Sequence, residues 1–391
     1  MNRRGFLRIA GSSAVILAAG AGGFAVTRTP TEALAPWDEA GSADYTDPRV
    51  RALSYAILAP NPHNRQPWLV DLSQDGEATL LCDLDRLLKE TDPFDRQITI
   101  GLGCFLETLR IASAEEGLRA EITPFPDGEG VQALDGRPIA HIRFTEDANL
   151  ARDPLFAQII HRRSNKEPYD VLQQVSDVDL SDMLGAAGTD LRVGSTNDGN
   201  RITDLRELTW QAMQVEMFTP QAMQESIDLM RIGKREINEN PDGLSFGGPF
   251  FDTARLLGLM TRESLGDTSS VGFQQGLDIW EELMMTAMGY AWIITAGNSR
   301  EDQLNAGRAW VRMNLKGMDL GLGLHPLSQS LQEYAEMAEL YARIHDELGA
   351  SGTETVQMFG RCGYGPDAPR TPRWPVETRL TGAANPILDA T

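Results

Sequence analysis

The sequence predicts an α+β fold in which one helix-and-strand unit occurs twice along a chain of 391 residues. Two stretches carry that expectation, IGLGCFLETLRIASAEEGLRAEITPF at 100–125 and LNAGRAWVRMNLKGMDLGLGLHPLSQ at 304–329. Each runs from a small residue through about four turns of apolar-periodic helix to a Gly-Leu pair. Gly103 aligns with Gly307, and Gly117-Leu118 with Gly321-Leu322. The third observation is a segment at 240–275 that fits neither copy. Hydrophobic content of 41% and charged content of 23% are those of a globular protein with ample length for a core.

Taken in order, the first element is a signal segment over 1–35. Arg3-Arg4 precedes Phe6-Leu7 and a weakly apolar stretch from Ile9 to Val26, an order that resembles a twin-arginine export signal. That pathway carries folded proteins, often with a cofactor already bound, so a periplasmic or other extracytoplasmic location is expected. The apolar stretch is near the lower limit for spanning a bilayer, so an uncleaved membrane anchor is the alternative. Ala33-Leu34-Ala35 has the form of a cleavage site but is followed by Pro36. Residues 36–46 read as a linker, with ordered structure expected from Asp47.

The first half, 47–150, opens with a helix over DPRVRALSYAIL and continues with strands at WLVDLS and ATLLCDL and a long helix that stops at Gly117. The second half is 151–385. Within it the 240–275 segment, with Gly247-Gly248-Pro249 beside Phe250-Phe251, is either a surface excursion or a lid over a pocket. Cys82, Cys104 and Cys362 make no CxxC pair and read as buried free thiols, with one disulfide in an oxidising compartment as the alternative.

Between the first helix and first strand lies APNPHNRQPW, 59–68. Prolines stop the helix. Asn64 and Gln66 stand two apart in a proline-bounded segment, which suits either an ordered turn or the polar edge of a flat heterocycle. The formal charge of −21 argues against nucleic acid and anionic lipid as partners. A small anion would need a local basic cluster, and two occur. Arg162, Arg163, Ser164 and Lys166 stand in HRRSNK; Arg361, Arg370 and Arg373 stand in GRCGYGPDAPRTPRWP. Each is either a phosphate site or a solvated charged face.

These motifs together resemble the nitroreductase-like flavoproteins. APNPHNRQPW is similar to the family's Ala-Pro-Ser-x-x-Asn-x-Gln-Pro-Trp signature, HRRSNK to its phosphate-binding Arg-x-Ser segment, and PRTPRWP to its C-terminal basic segment. The paired halves and the RCGYG ending look closest to the Acg subfamily, in which a single chain mimics the nitroreductase dimer. The resemblance implies FMN as cofactor. Arg162, Ser164, Lys166 and Arg373 would hold its phosphate, and Asn64 with the backbone around Pro62 and His63 would meet the pyrimidine and ribityl side; Asn61, Gln66, Arg163 and Arg370 are the further cofactor-binding candidates. Pro326, Leu327 and Ser328 would lie beside the flavin N5. Asn61 in place of the family's Ser, and Ser328 in place of its common acidic residue, depart from the pattern.

In the family's dimer each flavin takes the Asn-x-Gln-Pro-Trp loop from one subunit and the arginines from the other. This chain carries the loop only in its first half and the Arg-x-Ser, HPLS and basic segments only in its second. One FMN at the interface of the halves is therefore expected, in a pocket that does not require a second chain. The implied function is an exported FMN-dependent oxidoreductase with unassigned electron donor and acceptor; the alternative is a non-catalytic flavin carrier. No catalytic side chain is demanded by flavin chemistry. A serine hydrolase is disfavoured because no G-x-S-x-G elbow occurs, and the five histidines show no metal-ligand spacing.

Overall fold

The computed structural model describes residues 28–382 apart from 131, 189, 190, 257 and 259. The twin-arginine motif and its apolar stretch lie outside the described residues. Among those described, no helix is long and apolar enough to cross a membrane. Cys82, Cys104 and Cys362 are free and buried.

The chain begins with two short helices, α1 (Thr31–Leu34) and α2 (Pro36–Glu39). The 36–46 stretch, expected as a linker, instead buries Trp37 at 2% exposure and Tyr45 at 7%. A lone tryptophan has no periodicity to announce it, and its partners lie more than a hundred residues away. Asp47 then caps α3 (Pro48–Ala56), its carboxylate accepting from Arg49 N–H with Pro48 in the first turn.

Strands β1 (Trp68–Asp71) and β2 (Glu77–Cys82) pair antiparallel with Trp68 opposite Cys82, where the sequence places two strands across a polar turn. Helix α4 (Arg96–Glu115) follows, then β3 (Leu118–Pro124) and β4 (Ala140–Glu146). The second half repeats this order: α5 (Asp177–Gly185), β5 (Arg192–Thr196), β8 (Gly289–Thr295), α12 (Arg300–Asp319), β9 (Gly323–Pro326) and β10 (Thr355–Gly363). Both antiparallel sheets have the same spatial arrangement, β1-β2-β4-β3 and β5-β8-β10-β9. A short strand β11 (Leu380–Thr381) adds in parallel beside β1, so the end of the chain returns to the first half.

The excursion between β5 and β8 is longer than the 240–275 segment that stood out in sequence. It carries α6 (Gly199–Phe218), α7 (Pro220–Asp228), β6 (Met230–Ile232), α8 (Lys234–Glu239), β7 (Leu244–Phe246), α9 (Pro249–Leu256), α10 (Arg262–Gly266) and α11 (Val271–Met285).

Helices α4 and α12 cross at the centre, both buried over most of their circumference. Their contact is reciprocal. A Cβ on Gly103 would stand 2.1 Å from Leu304 O, and one on Gly307 would stand 2.0 Å from Ile100 O, so only glycine permits the two backbones to meet. At the helix starts Arg96 donates to Leu331 O and Gln357 O of the second half, and Arg300 to Gly130 O and Gln132 O of the first. Each equivalent position reaches across to the other half. One apolar core runs continuously through both halves.

Candidate functional site

The junction of the halves is where loop 59–68 meets the arginines. His63, Asn64 and Gln66 all adopt left-handed backbone, at φ of 46°, 51° and 51°. Each such non-glycine residue costs about 1–3 kcal/mol, and that cost persists only where surrounding structure over-determines the conformation. Here it does. Asn61 Oδ1 accepts from Gln66 N–H at 2.7 Å; Asn64 Nδ2 donates to Pro372 O at 3.0 Å; Gln66 Oε1 accepts from Trp374 N–H at 2.9 Å. Gln66 Nε2 also donates to Pro241 O at 2.8 Å, and Gly243 N–H to Asn64 O at 3.3 Å, which docks the excursion onto the loop. Of the two readings open in sequence, an ordered turn or the edge of a heterocycle, the hydrogen bonds of both carboxamides go to shaping the loop. Pro62 fits because Gly101 of α4 has no side chain: a Cβ there would stand 3.0 Å from Pro62 Cδ.

Behind the loop, α3 is followed by the carbonyls of its C-cap Ile57 and of Leu58 and Ala59, and arginines close on them. Arg373 gives Nε to Ile57 O at 2.9 Å and Nη2 to Leu58 O and Ala59 O at 3.2 Å; Arg162 gives Nη2 to Leu58 O at 3.0 Å and Nη1 to Asn314 Oδ1 at 3.1 Å. Cations at a helix C-terminus meet the negative end of its dipole. Trp37 covers the cluster, with Arg163, Arg373 and Arg370 at 4.5, 5.4 and 6.0 Å from its ring and its Nε1 donating to Thr371 O at 2.7 Å. Arg370 pairs with Asp38 at the surface.

Arg162, Arg163 and Arg373 have no carboxylate within ion-pair reach among the described residues. Burial first, and the neighbouring arginine or arginines second, pull Arg162 and Arg163 down to about 10 and Arg373 well below its ordinary value. Arg162 and Arg373 are buried and Arg163 half-buried beside them, with only the more distant charge of Asp367 acting on Arg163; gathering these like charges is costly, and an anion would relieve that cost. Arg373 has given its donors to the protein and contributes charge; Arg163, Ser164 and Lys166 keep side-chain donors free of protein partners.

Beside this cluster Lys166 is exposed to solvent, yet its surroundings desolvate the ammonium and lower its pKa, with Glu216 of α6 opposing. Facing it are His63, lowered to about 4 by burial and then by Lys166 and Arg65, and His325, lowered well below its usual value by burial and then by Arg361 and Lys166. His63 Nδ1 is sealed from solvent with no hydrogen-bond partner. Glu216 accepts from Gln332 Nε2 at 2.7 Å, and burial raises its pKa. Pro326 lies opposite Gly360 across β9 and β10, Leu327 N–H donates to Phe359 O at 2.9 Å, and Ser328 opens the turn that leads to Gln332.

The structure thus brings together His63, Lys166 and the strand end at His325, with the arginines behind the loop. Glu216, His325 and Trp280, whose ring lies 6.3 Å from that of His325, were not legible as site residues, because they come from the excursion and from cross-strand register. Two cavities lie apart from these residues. One of about 370 Å³ is lined by Phe94, Glu129, Arg300 and Glu333, and one of about 490 Å³ by Tyr169, Gln173 and Tyr364. Among the described residues no cluster of histidine, cysteine and carboxylate could hold a metal.

No family model matches the chain. It is 32% identical over 128 residues to a Mycobacterium tuberculosis protein named "Putative NAD(P)H nitroreductase acg", a match that spans 32% of this chain and 38% of that one. A second M. tuberculosis protein with an NAD(P)H nitroreductase name is 28% identical over 120 residues, 30% of this chain and 33% of its own. The chain thus spans about two fifths or less of the length of these relatives. Among solved structures it is similar to the FMN-dependent nitroreductase NfnB from Mycobacterium smegmatis in complex with NADPH, with 16% identity, 54% of this chain and 86% of that chain covered, and a TM-score of 0.33. It is similar also to a BluB-like flavoprotein from Clostridium difficile 630, with 16% identity, coverage of 59% and 100%, and a TM-score of 0.36. In sequence the chain is therefore similar, over about a third of its length, to proteins named as NAD(P)H nitroreductases.

Proposed function

We propose that this protein is an FMN-binding oxidoreductase of nitroreductase type that holds one flavin per chain at the junction of two halves descended from one duplicated unit. The observation that carries the cofactor reading is the pair of buried arginines, Arg162 and Arg373, with no ion-pair partner among the described residues and the half-buried Arg163 beside them, in a chain of net charge −21. A phosphate monoester supplies that counter-charge. The residues present fit the group. Arg163, Ser164 and Lys166 would hold the phosphate, the left-handed turn at His63 and Asn64 would flank the ring, and Pro326–Ser328 would line its far edge. Bound FMN would supply two-electron hydride chemistry. The protein's part is to position the ring, exclude water and set the local field.

The matched strand order of the two sheets and the reciprocal contact of α4 with α12 support the duplication. The docking of 241–243 on loop 61–66 supports the excursion as a cover. It also favours a second reading, a carrier that binds flavin without turnover. The twin-arginine segment supports export and sets the donor question, since an exported enzyme does not meet cytosolic NAD(P)H.

The test is to purify the protein, record its visible spectrum, measure released FMN against quantitative amino-acid analysis, and add NAD(P)H and then dithionite. A yellow protein with one FMN per chain, bleached by a pyridine nucleotide, establishes the oxidoreductase. Bleaching by dithionite alone favours the carrier or another donor, and a colourless protein that does not take up added FMN refutes the cofactor.

A further inference from the structure

Arg361 and His325 stand directly opposite each other in the β9–β10 ladder. Arg361 is wholly buried and has no carboxylate within ion-pair reach among the described residues. Its Nε donates to His325 Nδ1 at 3.0 Å, its Nη2 to Glu167 O at 2.8 Å, and its guanidinium lies 4.2 Å from the centre of the Tyr169 ring. Nη1 has no partner. A guanidinium can only donate. His325 Nδ1 must therefore carry a lone pair, and the ring proton is on Nε2. Protonation of the ring would set an N–H against the arginine N–H and place two cations side by side in the interior.

Nε2 has no hydrogen-bond partner among the described residues, nor is it among the polar atoms sealed from solvent. The groups around the ring, element by element, are Arg361 of β10, Lys166 of the 162–166 segment and the Trp280 indole of α11. His63 of the loop and Glu216 of α6 face Lys166 from beyond it. Asn165 N–H donates to Leu324 O at 3.1 Å, which sets Lys166 beside the strand position of His325.

We propose that Arg361 fixes His325 as a permanently neutral imidazole, and that its Nε2–H is donated to a lone pair of a ligand bound beside Lys166. His325 then determines specificity, since it accepts a carbonyl, ring-nitrogen or phosphoryl acceptor and rejects a cation. Arg361 is a positioning residue, and no proton is transferred. The tautomer is a property of the ligand-free chain. Donation to a ligand rests on the flavin reading above.

The experiment keeps these apart. Protein labelled with 15N-histidine is examined by long-range 1H–15N correlation from about pH 5 to about pH 8, with the His325 signals identified by their loss in His325→Gln. The expected pattern is one protonated and one lone-pair nitrogen, assigned as Nε2–H, unchanged across the range. In Arg361→Met the Nδ1 lone pair loses its donor, so the Nδ1–H tautomer should appear beside Nε2–H, while burial and Lys166 still hold the ring neutral. An Nδ1–H tautomer in the parent protein, or its titration in that range, overturns the assignment whether or not FMN binds. FMN affinity by fluorescence quenching reads the second part. His325→Gln, which keeps an N–H donor, should bind within about twofold of the parent, and His325→Ala about tenfold more weakly. Equal affinity in the alanine variant removes the ligand contact, leaving the tautomer result standing by itself.

Discussion

Arg373 Nη1 lies 2.6 Å from Asn64 Oδ1, a bond between a cation and a neutral amide at a position where a carboxylate would fit the same space. Asn64→Asp should therefore give Arg373 an ion-pair partner at the cost of the amide bond to Pro372 O, and aspartate tolerates the left-handed backbone of position 64. The expected outcome is FMN affinity lowered at least about tenfold in a protein that still folds, because the counter-charge is now internal. Undiminished FMN affinity would show that the arginine charge does not serve the ligand.

Arg162→Met should weaken FMN retention more than Asn64→Ala. Charge-assisted bonds are roughly twice as strong as neutral ones, and Arg162 is buried in the cluster while Asn64 spends its amide on the protein. Flavin remaining after gel filtration measures this. Equal occupancy in Arg162→Met and the parent would exclude the phosphate assignment.

Acid should destabilise the ligand-free chain in part through His63. Its folded value of about 4 lies below the unfolded value of about 6.5, so the unfolded chain binds the extra proton. The contribution is intact above about pH 6.5 and is lost as pH falls toward 4, on the order of 2 kcal/mol once discounted for the partial exposure of the ring. Burial raises Asp92 to about 6 and acts in the opposite direction, so the measurement is a difference. His63→Asn, which accepts left-handed backbone, should lose less stability to acid in urea titrations than the parent. Parallel curves for the two proteins would contradict the burial of His63.

Gly103→Ala and Gly307→Ala should destabilise by similar amounts, each by about 3 kcal/mol, since each Cβ meets the partner helix backbone, which cannot rotate away. Thermal unfolding compares them. A large cost at one position and none at the other would break the reciprocity of α4 and α12.

Sequence periodicity was sufficient for β1, β2, α4 and α12, because each buries a face whose period the residues record. It was also sufficient to mark loop 59–68 and the arginines as unusual. The directions of the side chains were not legible. Asn64 and Gln66 look the same in sequence whether they face a ligand or the 372–374 backbone, and only tertiary packing decides. Trp37, Glu216 and Trp280 reach the site from segments with no motif. The pairing of Arg361 with His325 depends on strand register, which no local pattern encodes across about thirty residues of intervening chain.

The clasp formed by Trp37, Thr371 and Arg373 joins positions 334 and more residues apart. During synthesis, Ala33 and Trp37 leave the ribosome long before the 370–374 segment that they cover, and the loop at 61–66 waits equally long for Pro372 and Trp374. Until that segment emerges, Ile57, Leu58 and Ala59 lack Arg373, and the basic cluster is one cation short. A nascent chain that has not yet extruded residues 370–374 is therefore without the completed cluster, whatever it has already folded.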